Sequence, residues 1–399
     1  MQLRARLLTI VAAALAAIPL TVLGPAVASH AAATPSVKAP AHSCATAKAG
    51  FAACKAIVRT DLTPLKSVSP NATPSGYGPS SLQTAYNLPS STAGSGRTVA
   101  IVDAYDDPTA EADLGVYRSQ FGLPACTTAN GCFKKIDQNG GTHYPRTNGG
   151  WAQEISLDVD MVSAICPNCH ILLVEASSSS FANLGAAVNR AAATPGVVAI
   201  SNSYGGSDAS DATYGSYYNH PGIAVTASSG DSGYGASYPA SSHYVTAVGG
   251  THLTTSTNSR GWAETAWSGA GSGCSAYNAA LSGAASFDTG CANRAEADVS
   301  AVADPATGVA VYDSTAYQGL SGWLVFGGTS VSSPIIASVY GLAGNTGSID
   351  NNYPYTHAAS LYDVTSGSNG SCPTTQWCNA RVGWDGPTGL GTPNGTGAF

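Results

Sequence analysis

Gly327-Gly328-Thr329-Ser330-Val331-Ser332-Ser333-Pro334 stands where a short apolar run, Trp323–Phe326, gives way to a helical pattern over Ser330–Leu342. A serine in the first turn of a helix has unpaired backbone N–H groups beside it, so negative charge developing there can be stabilised. The two glycines allow another backbone to approach closely. The same residues also suit an ordinary serine N-cap, so a nucleophile reading needs a base from elsewhere in the chain. Working outward, the strand-then-helix alternation continues. Val99–Ala104 reads as a strand, Ala110–Phe121 as a helix, Trp151–Ile165 as a helix ended by Pro167, and His170–Val174 as a strand. Phe181–Ala193 reads as a helix, and Val197–Ser201, Ile223–Ala227 and Tyr244–Val248 as strands. Helices separated by short apolar strands predict an α/β fold: a central, mostly parallel sheet flanked by helices on both faces.

No histidine has a context suited to activating Ser330. Gly250-Thr251-His252 follows an apolar strand, and His143 and His170 lack a glycine-threonine setting. A carboxylate pair takes that place. In Glu154-Ile155-Ser156-Leu157-Asp158 the two acids are four residues apart and share one face of a helix. Ile155, Val159 and Val162 form a separate apolar stripe, and the Trp151–Ile165 helix holds no Lys or Arg to pair the acids. Neighbouring carboxyls that share a proton titrate as a unit with split pKa values, so one can serve as base. A third acid, Asp231 in Ser228-Ser229-Gly230-Asp231-Ser232-Gly233, follows the Ile223–Ala227 strand. Gly-Asp-Ser-Gly is also a good turn. Kept protonated, however, Asp231 could donate a hydrogen bond to an oxyanion.

Composition excludes several classes. Of 399 residues only 10% are charged while 44% are hydrophobic, enough for a sizeable core and against disorder. Sixteen basic residues against 23 acidic ones, with no Lys/Arg cluster, argue against a nucleic-acid binder. Residues 1–28 have a basic start (Arg4, Arg6), an apolar middle and the ending Ala26-Val27-Ala28, the three parts of a secretory signal peptide. A membrane anchor would call for a longer run than this one, which also contains Pro19. The ten cysteines fall into five close pairs: Cys44/Cys54, Cys126/Cys132, Cys166/Cys169, Cys274/Cys291 and Cys372/Cys378. An even count behind a signal peptide favours disulfides and a secreted, extracellular protein. Cys166-Pro167-Asn168-Cys169 has no second C-x-x-C to complete a zinc site and reads as a structural disulfide. Residues 29–75, rich in Ala, Pro, Ser and Thr, read as a mostly extended N-terminal segment and candidate pro-region remnant.

E-I-S-L-D, S-G-D-S-G and G-G-T-S-x-S-S-P, in that order and at these separations, resemble the sedolisin family of serine-carboxyl peptidases. Gly76-Tyr77-Gly78-Pro79 through Tyr86-Asn87-Leu88, Tyr234–Gly250 and Ala301–Val311 extend the likeness over residues 76–399. The resemblance implies a subtilisin-like three-layer fold and peptide-bond hydrolysis through an acyl-enzyme. Ser330 then matches the nucleophile, Glu154 the general base, Asp158 the acid that orients it and Asp231 the oxyanion-stabilising acid. Asp103 falls where some members place a further acid, and Tyr204 where relatives often carry Trp along the substrate cleft. A carboxylate base stays usable near pH ~4, where a histidine is protonated, so an acid optimum is expected.

The resemblance also implies one Ca²⁺ near the C-terminus. The matching positions are Asp363, Val364, Arg381, Gly383 and Asp385, a hard-oxygen set of two carboxylates and three carbonyls. Arg381 replaces the glycine common there and puts a cation beside a cation. A second departure lies at the front, where relatives carry a folded pro-domain much longer than residues 29–75. The expectation is a secreted, monomeric endopeptidase acting on proteins or peptides, with neither nucleic acid nor membrane as partner once the signal is removed. A tripeptidyl exopeptidase, or an inactive extracellular binding relative, is the alternative.

Overall fold

A computed structural model describes residues 39–67, 73–345 and 350–399. The expected signal peptide and parts of the 29–75 segment lie outside the described residues. Three short strands come first: β1 (Ala41–His42), β2 (Ala53–Cys54) and β3 (Ile57–Val58). After helix α1 (Pro79–Ala85), the apolar run at Thr98–Ala104 forms β4 in the middle of the main sheet. With α2 (Ala110–Gln120), β5 (Phe133–Asp137), α3 (Gly149–Ile165), β6 (His170–Ala176), α4 (Phe181–Ala192) and β7 (Val197–Asn202), the expected alternation is realised. β4 pairs in parallel with β6 on one side and β7 on the other. β5 continues beyond β6, and β9 (Ala224–Ser228) beyond β7, both parallel. β11 (Thr246–Thr255) follows β9 in parallel and is joined by parallel β15 (Val299–Val302) and antiparallel β12 (Trp262–Ala266). In both β4 and β6 the last six of seven residues are buried, a nearly unbroken apolar run as expected of a strand covered on both faces.

The helices supply that cover. α4 packs Leu184, Ala187, Val188 and Ala191 into one core with Val174, Ile200 and Val225. On the other face, α3 and α6 (Thr329–Ala343) bring Ile155, Val159, Val162, Val331, Ile335 and Val339 against Val99 and Ile101. The result is the three-layer α/β arrangement expected. α3 differs in one respect: it is buried on every side, including Glu154 and Asp158, because α1, α2, α6 and β16 (Val309–Tyr317) surround it. Enclosed on all sides, this helix has no solvated face, and its polar side chains are buried with the rest. Its start is fixed by Asn148, whose side chain accepts from the N–H groups of Gly150 and Trp151 at 3.1 and 3.2 Å, a cap worth about 1 kcal/mol.

β11 runs seven residues past the expected end at Val248. The pattern is interrupted by Gly249 and Gly250, which are small because other groups crowd them. A Cβ on Gly249 would lie 2.1 Å from the Pro387 carbonyl oxygen. Around the sheet, β8 (Tyr204–Ser207), which leads to the short helix α5 (Asp211–Tyr214), pairs with β2 and with β10 (Ser237–Tyr238), and β13 (Gly273–Cys274) with β14 (Ala295–Glu296). β17 (Leu320–Gly327) forms a hairpin with β16 and carries β3 on its other edge, with β1 outermost. All five expected cysteine pairs are disulfides, Cys166–Cys169 included. Among the described residues no helix is long and apolar enough to cross a membrane.

Candidate active site

β17 ends at Gly327, and Gly328 turns the chain into α6 with φ +96°. Only glycine fits there: a Cβ would lie 1.9 Å from the Lys55 carbonyl oxygen and 3.1 Å from Asp231 Oδ2. Ser330 is then the second residue of the helix and is fully buried. Pro334, one turn on, has no N–H to give the Ser330 carbonyl, which instead lies 3.4 Å from Ser203 Oγ.

Glu154 and Asp158 sit on successive turns of α3, both with no exposed surface. Burial pushes both carboxyls well above their usual range, and for Glu154 the neighbouring Asp158 pushes further. The Ser330 hydroxyl lies between two acceptors. Its Oγ is 3.2 Å from the Ser203 carbonyl, while its looser contact with Glu154 opposes part of that carboxyl's rise. Glu154 Oε1 is buried with no closer partner, and Oε2 accepts from the Ala56 N–H at 2.9 Å. Asp158 accepts from Ser203 Oγ at 2.8 Å. Asp103, at the end of β4, joins the same group: both its oxygens are buried without partners, and burial, then Asp158, Glu154 and Glu175, hold its carboxyl well above the ordinary value.

Asp231 approaches from the loop after β9. Its Oδ1 accepts from Thr329 N–H at 2.7 Å and Thr329 Oγ1 at 2.8 Å, so it caps α6 from a distant loop. Oδ2 is buried and unpartnered. Burial raises this carboxyl, while Lys55, Thr329 and His42 pull the other way. The structure therefore brings Glu154, Asp158, Asp231 and Ser330 together, with Asp103 beside them. The other histidines considered stand apart: His252 pairs with Asp304 at 2.8 Å and His143 lies in the Asp137 turn. Tyr204 is fully buried, its hydroxyl on Asn202 Oδ1 at 2.7 Å and its ring tilted against Trp151.

Two contributors escape sequence reasoning. Ser203 acts through both its backbone carbonyl, which Ser330 Oγ approaches, and its hydroxyl, which donates to Asp158, and as one serine of the stretch Ser201–Gly206 it carries no distinguishing signature. The other is the N-terminal segment. β2 pairs antiparallel with β8 and β3 antiparallel with β17, so residues 53–58 run extended across the site.

Near the C-terminus, Asp363 Oδ2 accepts from Gly383 N–H at 2.9 Å, and Asp385 accepts from Arg381 N–H at 3.2 Å and from Thr388. Burial pushes Asp385 up to about 7, with Asp363 adding to the rise. Two carboxyls that repel each other within a loop of carbonyls suit a hard cation. The Arg381 guanidinium is occupied by the Trp384 carbonyl and Gln376. Among the described residues no three His, Cys, Asp or Glu side chains gather as a metal site, so most ligands there would be carbonyls.

No family model matches the chain. It is 28% identical to kumamolisin of Bacillus sp. (strain MN-32) over 369 residues, covering 82% of this chain and 64% of that protein. It is 27% identical to sedolisin of Pseudomonas sp. (strain 101) over 371 residues, covering 80% and 60%. The chain thus spans less than two-thirds of the length of these relatives. The structure of Pseudomonas sedolisin, a serine-carboxyl proteinase complexed with two molecules of pseudo-iodotyrostatin, superposes with a TM-score of 0.65 at 25% identity. That match covers 81% of this chain and 96% of the other. Over about four-fifths of its length the chain is thus similar in sequence to kumamolisin and sedolisin, and in fold to sedolisin.

Proposed function

We propose that the chain is a serine-carboxyl endopeptidase. One observation carries the reading: a fully buried serine at the start of a helix beside a buried, histidine-free carboxyl pair. Ser330 Oγ attacks the substrate carbonyl as Glu154 takes its proton, and Asp158 holds the second proton of the pair. Asp231 Oδ2, protonated, donates to the oxyanion with the N-terminal dipole of α6 behind it. Leaving-group protonation by Glu154 gives the acyl-enzyme, which water then hydrolyses. The raised carboxyls support an acid optimum. Asp231 must be neutral to donate, and it becomes so as pH falls through its elevated value. The extended run of residues 53–58 across the site supports a cleft open at both ends, which favours endopeptidase over tripeptidyl activity.

One Ca²⁺ held by Asp363 and Asp385 with the carbonyls of Val364, Arg381 and Gly383 belongs to the same reading and would brace the C-terminal loops. So do secretion behind residues 1–28, a monomeric state, and protein or peptide substrates. The test is digestion of a denatured protein and of an N-terminally blocked peptide between pH 3 and 8, beside Ser330→Ala. Cleavage of the blocked peptide below pH 6 by the wild type alone is expected. Equal cleavage by Ser330→Ala refutes the mechanism, and cleavage only of unblocked peptides, three residues in, shows an exopeptidase.

A further inference from the structure

Asp231 can stabilise an oxyanion only if its proton stands on the right oxygen. A protonated carboxyl has one oxygen that donates and one that only accepts, so exchanging the two reverses the interaction. In the structure they are already unequal. Oδ1 accepts from the Thr329 N–H at 2.7 Å and from Thr329 Oγ1 at 2.8 Å, while Oδ2 is buried and meets no donor. Oδ2 faces the turn before the serine, 3.1 Å from where a Cβ on Gly328 would stand. With both lone pairs of Oδ1 engaged by hydrogens, a proton on Asp231 has Oδ2 as its place.

The direction of the Thr329 hydroxyl is itself fixed. A threonine oxygen carries one hydrogen, which rotates to suit its neighbours. Here the Gly230 N–H donates to Oγ1 at 3.2 Å, so that side of the oxygen accepts and the hydrogen is left for Asp231. The backbone on both sides is tied down. The Thr329 carbonyl accepts from Ser228 Oγ and from Ser332 Oγ, both at 2.9 Å, and the Gly230 carbonyl accepts from the Gly271 N–H at 2.7 Å. Thr329 is fully buried. Because Gly230 precedes Asp231 and Thr329 precedes Ser330, one hydroxyl ties the loop after β9 to the start of α6.

We infer that Thr329 is a positioning residue: its N–H and hydroxyl hold Oδ1 as the acceptor and so place the proton of Asp231 on Oδ2, toward the oxyanion. This deepens the proposed peptidase function and rests on it. The charged and titratable groups facing Asp231 are Lys55, His42 and Glu154, and Thr329 supplies both donors to Oδ1. The hydroxyl has a second effect of opposite sign. Burial raises the Asp231 carboxyl, while Lys55 and then the two Thr329 donors pull it back, because a donor favours the carboxylate over the neutral acid. Removing the hydroxyl therefore lets Asp231 stay protonated to higher pH while leaving its proton less well placed. Turnover falls, yet the alkaline limb of the pH profile moves up.

The experiment measures kcat, KM and the pH profile of peptide cleavage between pH 3 and 8 for five full-length chains: wild type, Thr329→Val, Thr329→Ser, Asp231→Ala and the Thr329→Val/Asp231→Ala double variant. Thr329→Val should lower kcat by about tenfold, the weight of one hydrogen bond, and leave KM within about twofold. Its alkaline limb should rise by about half a pH unit or more. Thr329→Ser, which keeps the hydroxyl, should return the limb to its wild-type position and recover most of the turnover. In the Asp231→Ala background Thr329→Val should have little further effect, since no proton is left to place. Thr329→Ala takes the place of Thr329→Val should the buried valine impair folding. A limb that stays in place or moves down when the hydroxyl is lost overturns this inference and leaves the peptidase reading standing. So does a double variant in which the two losses simply multiply. No cleavage by the wild type at any pH overturns the peptidase reading, and this inference with it.

Discussion

Glu154→Gln should remove activity and yet leave the fold more stable at neutral pH. The amide oxygen of Gln can keep the Ala56 hydrogen bond now at 2.9 Å, so folding loses at most ~1 kcal/mol. The opposing effect has a definite sign. Burial, then Asp158, holds the Glu154 carboxyl well above its ordinary value. A carboxyl raised in the folded state contributes its stability fully below the unfolded pKa of ~4.3 and loses it as pH climbs through the folded value. Gln has no such loss. Each pH unit in that window corresponds to about 1.4 kcal/mol, and an effective interior dielectric near ~20 trims the total to about 1–3 kcal/mol in favour of the variant at pH 7.5. At pH 4 the two proteins should be nearly equal. Turnover of a peptide substrate should fall by ~10²–10⁴, the usual contribution of a general base, and Ser330→Ala should add little to the double variant because the two residues act as one unit. Urea titrations at pH 4 and 7.5, beside peptide assays across the pH range, provide both readings. A variant that keeps more than about a tenth of the activity, or that is equally destabilised at both pH values, refutes the reasoning.

Asp313 offers a related test away from the site. It is buried, accepts from Thr315 N–H at 2.8 Å through Oδ1, leaves Oδ2 unpartnered, and is pushed up to about 8 by burial and then Asp107. Asp313→Asn should be neutral at pH 4 and stabilising by about 1–3 kcal/mol at pH 7.5, visible as a melting temperature that drops less between these values than that of the wild type. Asp298 holds the buried Arg294 guanidinium, the Tyr355 hydroxyl at 2.6 Å and the Ala247 N–H at 2.7 Å. Asp298→Ala strands that cation and should cost about 3–5 kcal/mol, read by denaturant titration; a loss under ~1 kcal/mol contradicts the network. Chelation with EDTA should lower both melting temperature and activity, and Asp363→Ala should abolish the response. A protein indifferent to EDTA has no calcium at Asp363 and Asp385.

The sheet and its helices are legible because their apolar runs are long enough to show a period, and α3 could be drawn almost to the residue. Glu154, Asp158 and Asp231 stand out in the sequence because charge is scarce in this chain, and Ser330 because it follows a glycine pair where a strand gives way to a helix. Burial of both faces of α3 is not, since nothing in residues 149–165 states that α1, α2 and β16 will cover it. β11 is cut short at Val248 because its glycines mark crowding by Pro387, a residue far along the chain. The strands at 41–58 escape for a simpler reason: two residues cannot display a period, and each borrows its partner from a distant element. Ser203 escapes because a backbone carbonyl is the same whatever the side chain, and because its hydroxyl, one of many in the chain, meets Asp158 only in the fold.

Pro334 has a mechanical implication. By leaving the Ser330 carbonyl without a partner in its own helix, it transfers that contact to Ser203 in the bend between β7 and β8. The reactive serine is therefore indexed to the sheet rather than to the rod of α6. Substitutions along the far turns of α6, which tilt or shorten that rod, should be felt as lost packing while the serine keeps its address. A change of equal size in the β7–β8 bend moves Ser203, and with it the hydroxyl, the orienting acid and the bound backbone together.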